Sequence, residues 1–239
     1  LSLEERIQLK KEAIQYGERA IELDENFGEP HVVICASLID LMFEPSLSAA
    51  REDNQKKYLY HCDKAVDLDP NNPDAVIMQG LKYYMMQDPN RFEEVIQKAL
   101  SLNPNHPRTL MMYSLKLQRE GNFDKAIEHI KLGMEIDPAA RGDWENWLMF
   151  SYIAKGDYKS AMNSLNWCMD YMLHNRHYGF KAAILALSGS IEESKEWLSK
   201  YLDARPEIKT LEDYKKVVPD MNDYLKNNLI EGMKLSGLS

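Results

Sequence analysis

The sequence predicts an all-α array of helix–turn–helix repeats, a solenoid, followed at its carboxyl end by a helical cap. Three observations support this fold class. A proline-anchored phrase recurs every 34 residues, apolar residues between the prolines follow helical spacing, and the carboxyl end abandons the period. Repeats of this length bury their apolar faces by stacking on their neighbours.

The period is marked by three phrases: AVDLDPNNPDA, ALSLNPNHPRT and GMEIDPAARGD. Their anchoring prolines, Pro70, Pro104 and Pro138, stand 34 residues apart. The phrase AIELDENFGEP, which begins at Ala20, and Pro206, two periods after Pro138, extend the pattern in both directions. Two successive identical intervals indicate tandem copies of one supersecondary unit.

Each copy is predicted to contain two helices. Pro73 and Pro107 suit the first turn of a helix, where the missing amide hydrogen costs nothing. The first helix of a copy then ends near a glycine–polar pair such as Gly121 and Asn122. The second helix ends just before Pro138, because proline disfavours helical geometry at the residue that precedes it.

At these positions the chain resembles the tetratricopeptide repeat family, whose pattern spaces large, small and aromatic residues along a 34-residue unit. One repeat supplies Val76, Gly80, Tyr83, Phe92, Ile96, Ala99 and Pro104. The next supplies Leu110, Tyr113, Ser114, Leu117, Ala126, Ile130, Gly133 and Pro138, and a later one Trp144, Trp147, Leu148, Ala161, Leu165 and Cys168. The resemblance implies a right-handed α-solenoid and a role in binding proteins or peptides.

The repeat pattern also predicts how the chain is divided. We expect a half repeat at residues 1–24, repeats at about 25–70, 71–104, 105–138, 139–173 and 174–206, and capping helices at 207–239. The repeat that ends at Pro70 is longer than the others, which places an insert around residues 42–54. The lone helix at 4–23 and the start at Leu1 rather than Met indicate a fragment of a longer protein.

The carboxyl end is predicted to hold a helix that begins after Thr210, with Asp213 completing a capping box, and a last amphipathic helix at about 221–235. Its ending, LIEGMKLSGL, also resembles the tails of repeat regions in bacterial signalling proteins. In those proteins a nucleotide cyclase or a winged-helix DNA-binding domain precedes the repeats. The resemblance implies the docking or sensory part of a longer regulator.

Composition excludes several classes of partner. A formal net charge of −9 without a Lys/Arg cluster argues against nucleic acid and against anionic membrane surfaces. No apolar run is long enough to span a bilayer, and no signal peptide is recognisable. Cys35, Cys62 and Cys168 are few, odd in number and widely spaced, which favours reduced core thiols in a cytoplasmic chain.

The residues that could carry chemistry do not converge. His61, Cys62 and Asp63 are consecutive and point around a helix, so a core cysteine between two surface residues is the better interpretation. His174 and His177 lack further ligands at fitting spacing, and we expect solvated histidines there. We therefore predict no catalytic residue, no metal, no cofactor and no enzyme activity.

The functional site is predicted on the first helices, whose positions two, five, six, nine, twelve and thirteen line the concave side in the family that the chain resembles. The candidate groove residues at these positions are Val32, Val33, Ala36, Ile77, Met78, Leu81, Tyr84, Met85, Met111, Met112, Leu115, Arg119 and Met149. The Lys/Asn/Arg clamp of the subgroup that binds chaperone carboxyl termini is absent, since Val32, Ala36, Met78 and Met111 stand at the tested places. What remains is an apolar, methionine-rich groove, and methionine suits adaptable binding surfaces.

We therefore predict a non-catalytic scaffold that binds a peptide or protein segment in this groove. Two structural alternatives stay open: packing between neighbouring first helices buries the groove, or the insert or the segment around residues 214–235 fills it. Two functional alternatives also stay open. The chain regulates an attached enzyme such as a nucleotide cyclase, or it self-associates as a homodimer through its end faces.

Overall fold

The computed structural model describes residues 3–42, 50–171, 174–219 and 222–239. In these ranges the chain forms thirteen α-helices and no strand. The helices are α1 (Leu3–Leu23), α2 (Glu29–Met42), α3 (Arg51–Leu68), α4 (Pro73–Met85), α5 (Pro89–Leu102), α6 (Pro107–Arg119), α7 (Phe123–Ile136), α8 (Arg141–Lys155), α9 (Tyr158–Tyr171), α10 (Asn175–Leu187), α11 (Ile191–Ala204), α12 (Leu211–Val217) and α13 (Asp223–Leu235).

Helix starts follow from prolines and capping side chains. Asn72 Oδ1 accepts a hydrogen bond of 2.9 Å from the amide of Asp74, and Pro73 takes the first position of α4. Asp88 Oδ1 accepts from the amide of Arg91 at 3.1 Å and begins α5 in the same way. These side chains satisfy amides that have no partner within the helix.

A glycine and a capping box set two other helix boundaries. Gly156 ends α8 with a φ of 81°, a left-handed conformation that glycine adopts without strain. The Thr210 hydroxyl and the Asp213 carboxylate each accept the other residue's amide at 3.2 Å, which is the expected capping box. The last helix begins at Asp223. Most of the insert predicted at 42–54 lies outside the described residues.

The helices group into two compact units, Leu1–Met112 (unit 1) and Tyr113–Ser239 (unit 2), with the boundary inside α6. In unit 1, α1 packs on α2, α2 pairs with α3, and α4 pairs with α5. The buried Tyr58 hydroxyl donates a 2.9 Å hydrogen bond to the carbonyl oxygen of Met78, which joins α3 to α4. This bond links one predicted repeat to the next.

In unit 2, α7 packs on α8, α8 pairs with α9, and α10 pairs with α11. Gly133 of α7 faces the Trp144 ring so closely that a Cβ there would lie 2.4 Å from it. The rings of Phe150 and Phe180 meet edge to face at 5.4 Å. The carboxyl-terminal helix α13 packs against α10 and also against α8.

Candidate functional site

The predicted site lies on the first helix of each pair, which is α2, α4 and the start of α6 in unit 1. Polar contacts join the amino ends of these helices. Asn72 Nδ2 donates to Glu29 Oε2 at 3.0 Å, and Asp74 Oδ1 lies 3.5 Å from Arg108 Nε. Exposed contacts of this kind contribute little free energy, but they show that the amino ends of α2, α4 and α6 lie side by side.

Most of the candidate groove residues have buried side chains. In unit 1 these are Val32, Ile77, Met78, Leu81 and Met112; in unit 2 they are Leu115 and Met149. Of the two methionines that adjoin in the sequence, Met112 is 0% exposed and belongs to the core, whereas Met111 is half-buried. A buried side chain cannot touch a partner, so any contact surface consists of the remaining residues.

Gly80 explains why Met112 is buried. A Cβ on Gly80 would lie 1.9 Å from the Met112 Cε and 3.1 Å from a Val95 methyl group. The glycine therefore leaves a space on α4 that the long methionine side chain of α6 enters. Packing between neighbouring first helices, one of the two structural alternatives, accounts for this part of the predicted groove.

The accessible candidate residues of unit 1 form a smaller set. Val33 is 39% exposed, and the other four are half-buried: Ala36, Tyr84, Met85 and Met111. Arg119, also half-buried, belongs to unit 2. We call the five unit 1 residues the α2–α6 strip.

In unit 2, the carboxyl-terminal helix covers the corresponding face. Ala183 follows Met149 by 34 residues, so it occupies the same repeat position on α10 that Met149 occupies on α8. A Cβ on Gly232 of α13 would lie 2.7 Å from the Ala183 Cβ and from its carbonyl oxygen. The backbones of α10 and α13 therefore approach each other closely at a position that lines the predicted groove. Two small residues, Gly232 and Ala183, make this approach possible.

Two hydrogen bonds tie α13 to the first helices of unit 2. Asn228 Nδ2 donates to the carbonyl oxygen of Ile153 on α8 at 2.8 Å. The buried Ser236 hydroxyl lies 3.2 Å from the carbonyl oxygen of Ala182 on α10. The face of unit 2 formed by α8 and α10 is therefore covered by the carboxyl-terminal segment. This arrangement corresponds to the second structural alternative, in which that segment fills the groove.

The chain superposes on solved structures of tetratricopeptide-repeat proteins. A chain of the APC/C hetero-tetramer Cut9–Hcn1 matches with a TM-score of 0.69 at 15% identity, over 93% of this chain and 40% of that one. PilW, a widely conserved type IV pilus biogenesis factor, matches with a TM-score of 0.58 at 14% identity, over 82% and 88% of the two chains. The pilF protein of Pseudomonas aeruginosa matches with a TM-score of 0.55 at 13% identity, over 85% and 87%.

The chain has the tetratricopeptide-repeat fold. The predicted fold class, an all-α solenoid of such repeats with a carboxyl-terminal helical cap, is thereby confirmed. The chain spans 40% of the length of the Cut9–Hcn1 chain that it matches. No protein-family model matches the sequence, and a search of curated proteins finds no match.

A second surface of this repeat fold was not predicted. On α1, Leu9 is 50% exposed and Tyr16 and Leu23 are each 75% exposed. These residues stand seven apart, so they share one side of the helix. The heptad spacing in the sequence was the signal that could have revealed this apolar stripe.

The histidines correct one expectation. His177 is fully buried rather than solvated, and its Nδ1 accepts the amide of His174 at 3.2 Å. Burial, with a contribution from the positive charge of Arg176, lowers the pKa of His177 to about 3. The imidazole is therefore neutral at physiological pH, and it caps the amino end of α10.

His31 and His61 form a second pair, with their Nδ1 atoms 2.9 Å apart. Burial lowers the pKa of both rings, that of His61 to about 4, so the pair is uncharged near neutral pH. Among the residues that the structure describes, no three His, Cys, Asp or Glu side chains converge as metal ligands. In those same residues no helix has the length and apolar character of a membrane span.

Proposed function

We propose that this chain is a non-catalytic protein-interaction scaffold that binds an amphipathic helix of a partner on the α2–α6 strip of unit 1. The fold supports the scaffold role, because stacked repeats present the faces of successive first helices as one extended surface. The main support for this site is that Val33 and Met111, both at candidate groove positions, expose apolar surface. The neighbouring candidates Met78 and Met112 are buried.

The helix α13 supports the choice of a helical partner. In unit 2 the amphipathic helix α13 packs against α8 and α10, with Gly232 against Ala183 of α10. Ala36 in unit 1, like Ala183, is a small residue at a candidate position. A small residue lets a second helix approach closely, and apolar neighbours then contact its hydrophobic side.

Binding is tested with a Val33→Glu/Met111→Glu double variant, which places two carboxylates on the strip without altering a fully buried side chain. Leu132→Glu on α7 is the matched control, because Leu132 is 40% exposed, nearly the same as Val33. Partners captured by the wild-type chain are identified, and the affinity of each purified partner segment is then measured by calorimetry.

We expect the double variant to weaken binding at least about tenfold, which corresponds to about 1.4 kcal/mol. The Leu132→Glu variant should bind as the wild type does, and circular dichroism should show equal helix content for all three proteins. Equal affinity of the double variant and the wild type for the same segment would rule out the strip as the site.

Self-association is a second candidate function, favoured by the α1 stripe of Leu9, Tyr16 and Leu23. An apolar row of this kind suits pairing with the same helix of a second copy. Light scattering over a range of concentrations tests it, with Tyr16→Lys as the disrupting variant. A wild-type chain that stays monomeric at every concentration would remove this candidate.

The role as the docking part of a longer regulator, or as the regulatory region of an attached enzyme such as a nucleotide cyclase, stays a prediction from the resemblance of the carboxyl end. The cytoplasmic location and the lack of nucleic-acid binding also stay predictions, from cysteine content and charge. A nucleotide cyclase or a winged-helix domain found in the same gene product would support these predictions.

A further inference from the structure

The sulfur atoms of Cys35 on α2 and Cys62 on α3 lie against each other in the core of unit 1. Their Sγ atoms are 2.7 Å apart although the residues are 27 positions apart in the sequence. Both side chains are fully buried, and the Cys35 sulfur also lies 3.5 Å from the carbonyl oxygen of Tyr58. All three cysteines are free and buried, as expected for reduced core thiols, and two of them are in contact.

The separation is shorter than an ordinary contact between two sulfur atoms and longer than a covalent bond. A disulfide has an S–S length of about 2.05 Å, whereas unbonded carbon atoms rest at about 3.5–4.0 Å and sulfur is larger than carbon. The two sulfurs are about 0.65 Å further apart than in a disulfide, so the packing of α2 on α3 already brings them together. We infer that Cys35 and Cys62 are a disulfide-forming pair that joins α2 to α3 when the chain folds in the presence of a low-molecular-weight disulfide.

The reaction is thiol–disulfide exchange with a small disulfide such as glutathione disulfide as the oxidant. The Cys62 thiolate attacks one sulfur of the oxidant, which forms a mixed disulfide and releases one glutathione thiolate. The Cys35 thiolate then attacks the Cys62 sulfur and releases the second glutathione. The protein loses two electrons and two protons, and the oxidant becomes two glutathione thiols.

The timing of the reaction follows from burial. In the folded chain, burial raises the pKa of the Cys35 thiol far above its usual range, and the thiolate is the reactive form. Both sulfurs are also closed to solvent. Exchange should therefore occur while the chain folds, when the thiols are still accessible, and should be slow once folding is complete.

The experiment starts from the reduced chain unfolded in urea, which is refolded by dilution into a mixture of reduced and oxidised glutathione. Intact mass, alkylation of free thiols under denaturing conditions and peptide mapping then give the bonding state. Cys168→Ala and Cys62→Ala are the paired variants, and circular dichroism reports whether each one refolds. A parallel sample of folded, reduced protein receives the same glutathione mixture.

We expect refolded wild type to weigh two hydrogens less, to keep one free thiol at Cys168, and to yield a linked Cys35–Cys62 peptide. The Cys168→Ala variant should lose both free thiols, while the Cys62→Ala variant should keep both of its own. The oxidised wild type should have a higher urea midpoint than the reduced form, and folded protein should oxidise at least about tenfold more slowly. Three free thiols after refolding, glutathione adducts alone, or a bond to Cys168 would overturn the inference.

Discussion

Gly232 of α13 packs directly on Ala183 of α10, so that a Cβ built on the glycine would lie 2.7 Å from the Ala183 carbonyl oxygen and 2.8 Å from its Cα. Backbone atoms cannot move aside as the end of a long side chain can. The contact therefore sets the distance between the carboxyl-terminal helix and the face that it covers.

The Gly232→Ala substitution should separate these two helices. Alanine favours the helix by about 1 kcal/mol, but the clash with α10 should outweigh this and leave a net loss of about 1–3 kcal/mol in the free energy of unfolding. Urea unfolding followed by circular dichroism measures it. Asn227→Ala, on the exposed side of the same helix, is the control and should be neutral or slightly stabilising. A stabilised Gly232→Ala variant would show that this contact is loose.

The Gly80→Ala substitution should change the stability much less than Gly232→Ala. The added Cβ would meet the Met112 Cε at 1.9 Å, but that atom ends a flexible side chain that can adopt another rotamer. The helix gains about 1 kcal/mol from alanine, so the net change should stay within about 1 kcal/mol of zero. In the same urea titration, the Gly80→Ala variant should have a clearly higher free energy of unfolding than the Gly232→Ala variant. The reverse order would contradict this interpretation of both glycines.

The buried hydroxyl of Tyr58 should contribute measurably to the stability of unit 1. Tyr58→Phe removes its 2.9 Å hydrogen bond to the Met78 carbonyl oxygen and should cost about 0.5–1.5 kcal/mol. Tyr60→Phe removes an equal hydroxyl from the same helix, but Tyr60 is an exposed residue, so its loss should have little effect. Equal urea midpoints for the two variants would mean that the hydrogen bond adds nothing.

The stability of the chain should fall in acid because of His177. Its pKa is about 3 in the folded state and near 6.5 when unfolded, so the unfolded chain binds a proton that the folded chain does not. The contribution of the neutral, buried His177 ring to the free energy of unfolding is complete above pH 6.5. It is lost as the pH falls towards 3, at up to about 1.4 kcal/mol per pH unit.

The measurement is the urea midpoint between pH 7.5 and 4.5 for the wild type and for His177→Gln, whose amide oxygen can still accept the His174 amide. We expect a shallower slope for the variant, whatever its absolute stability. His129→Gln on α7 controls for removal of a histidine and should keep a steeper slope than His177→Gln. Parallel slopes for wild type and His177→Gln would assign the acid sensitivity to other groups.

The helices and their boundaries could be predicted from the sequence because their causes are local. Pro73 and Asn72 begin a helix through the geometry of one turn, and Gly156 ends one by adopting a left-handed conformation. The capping box of Thr210 and Asp213 likewise needs only four consecutive residues. The period of 34 then assigns these local signals to successive repeats.

The candidate site was less predictable because it depends on contacts between helices. Repeat position places Met112 on a particular side of α6, but the burial of its long side chain depends on the space that Gly80 leaves on α4. The pairing of Cys35 with Cys62 depends on the packing of α2 on α3. The full burial of His177 depends on its tertiary neighbours, and no spacing rule in the sequence reports it.

The attachment of α13 to the chain whose face it covers makes it an intramolecular competitor. A tethered segment acts at an effective concentration in the millimolar range. A free helix of equal intrinsic affinity, supplied at micromolar concentration, would then occupy the α8–α10 face in about one molecule in a thousand. Connectivity alone thus directs an external helix away from unit 2, without any difference in the chemistry of the two faces.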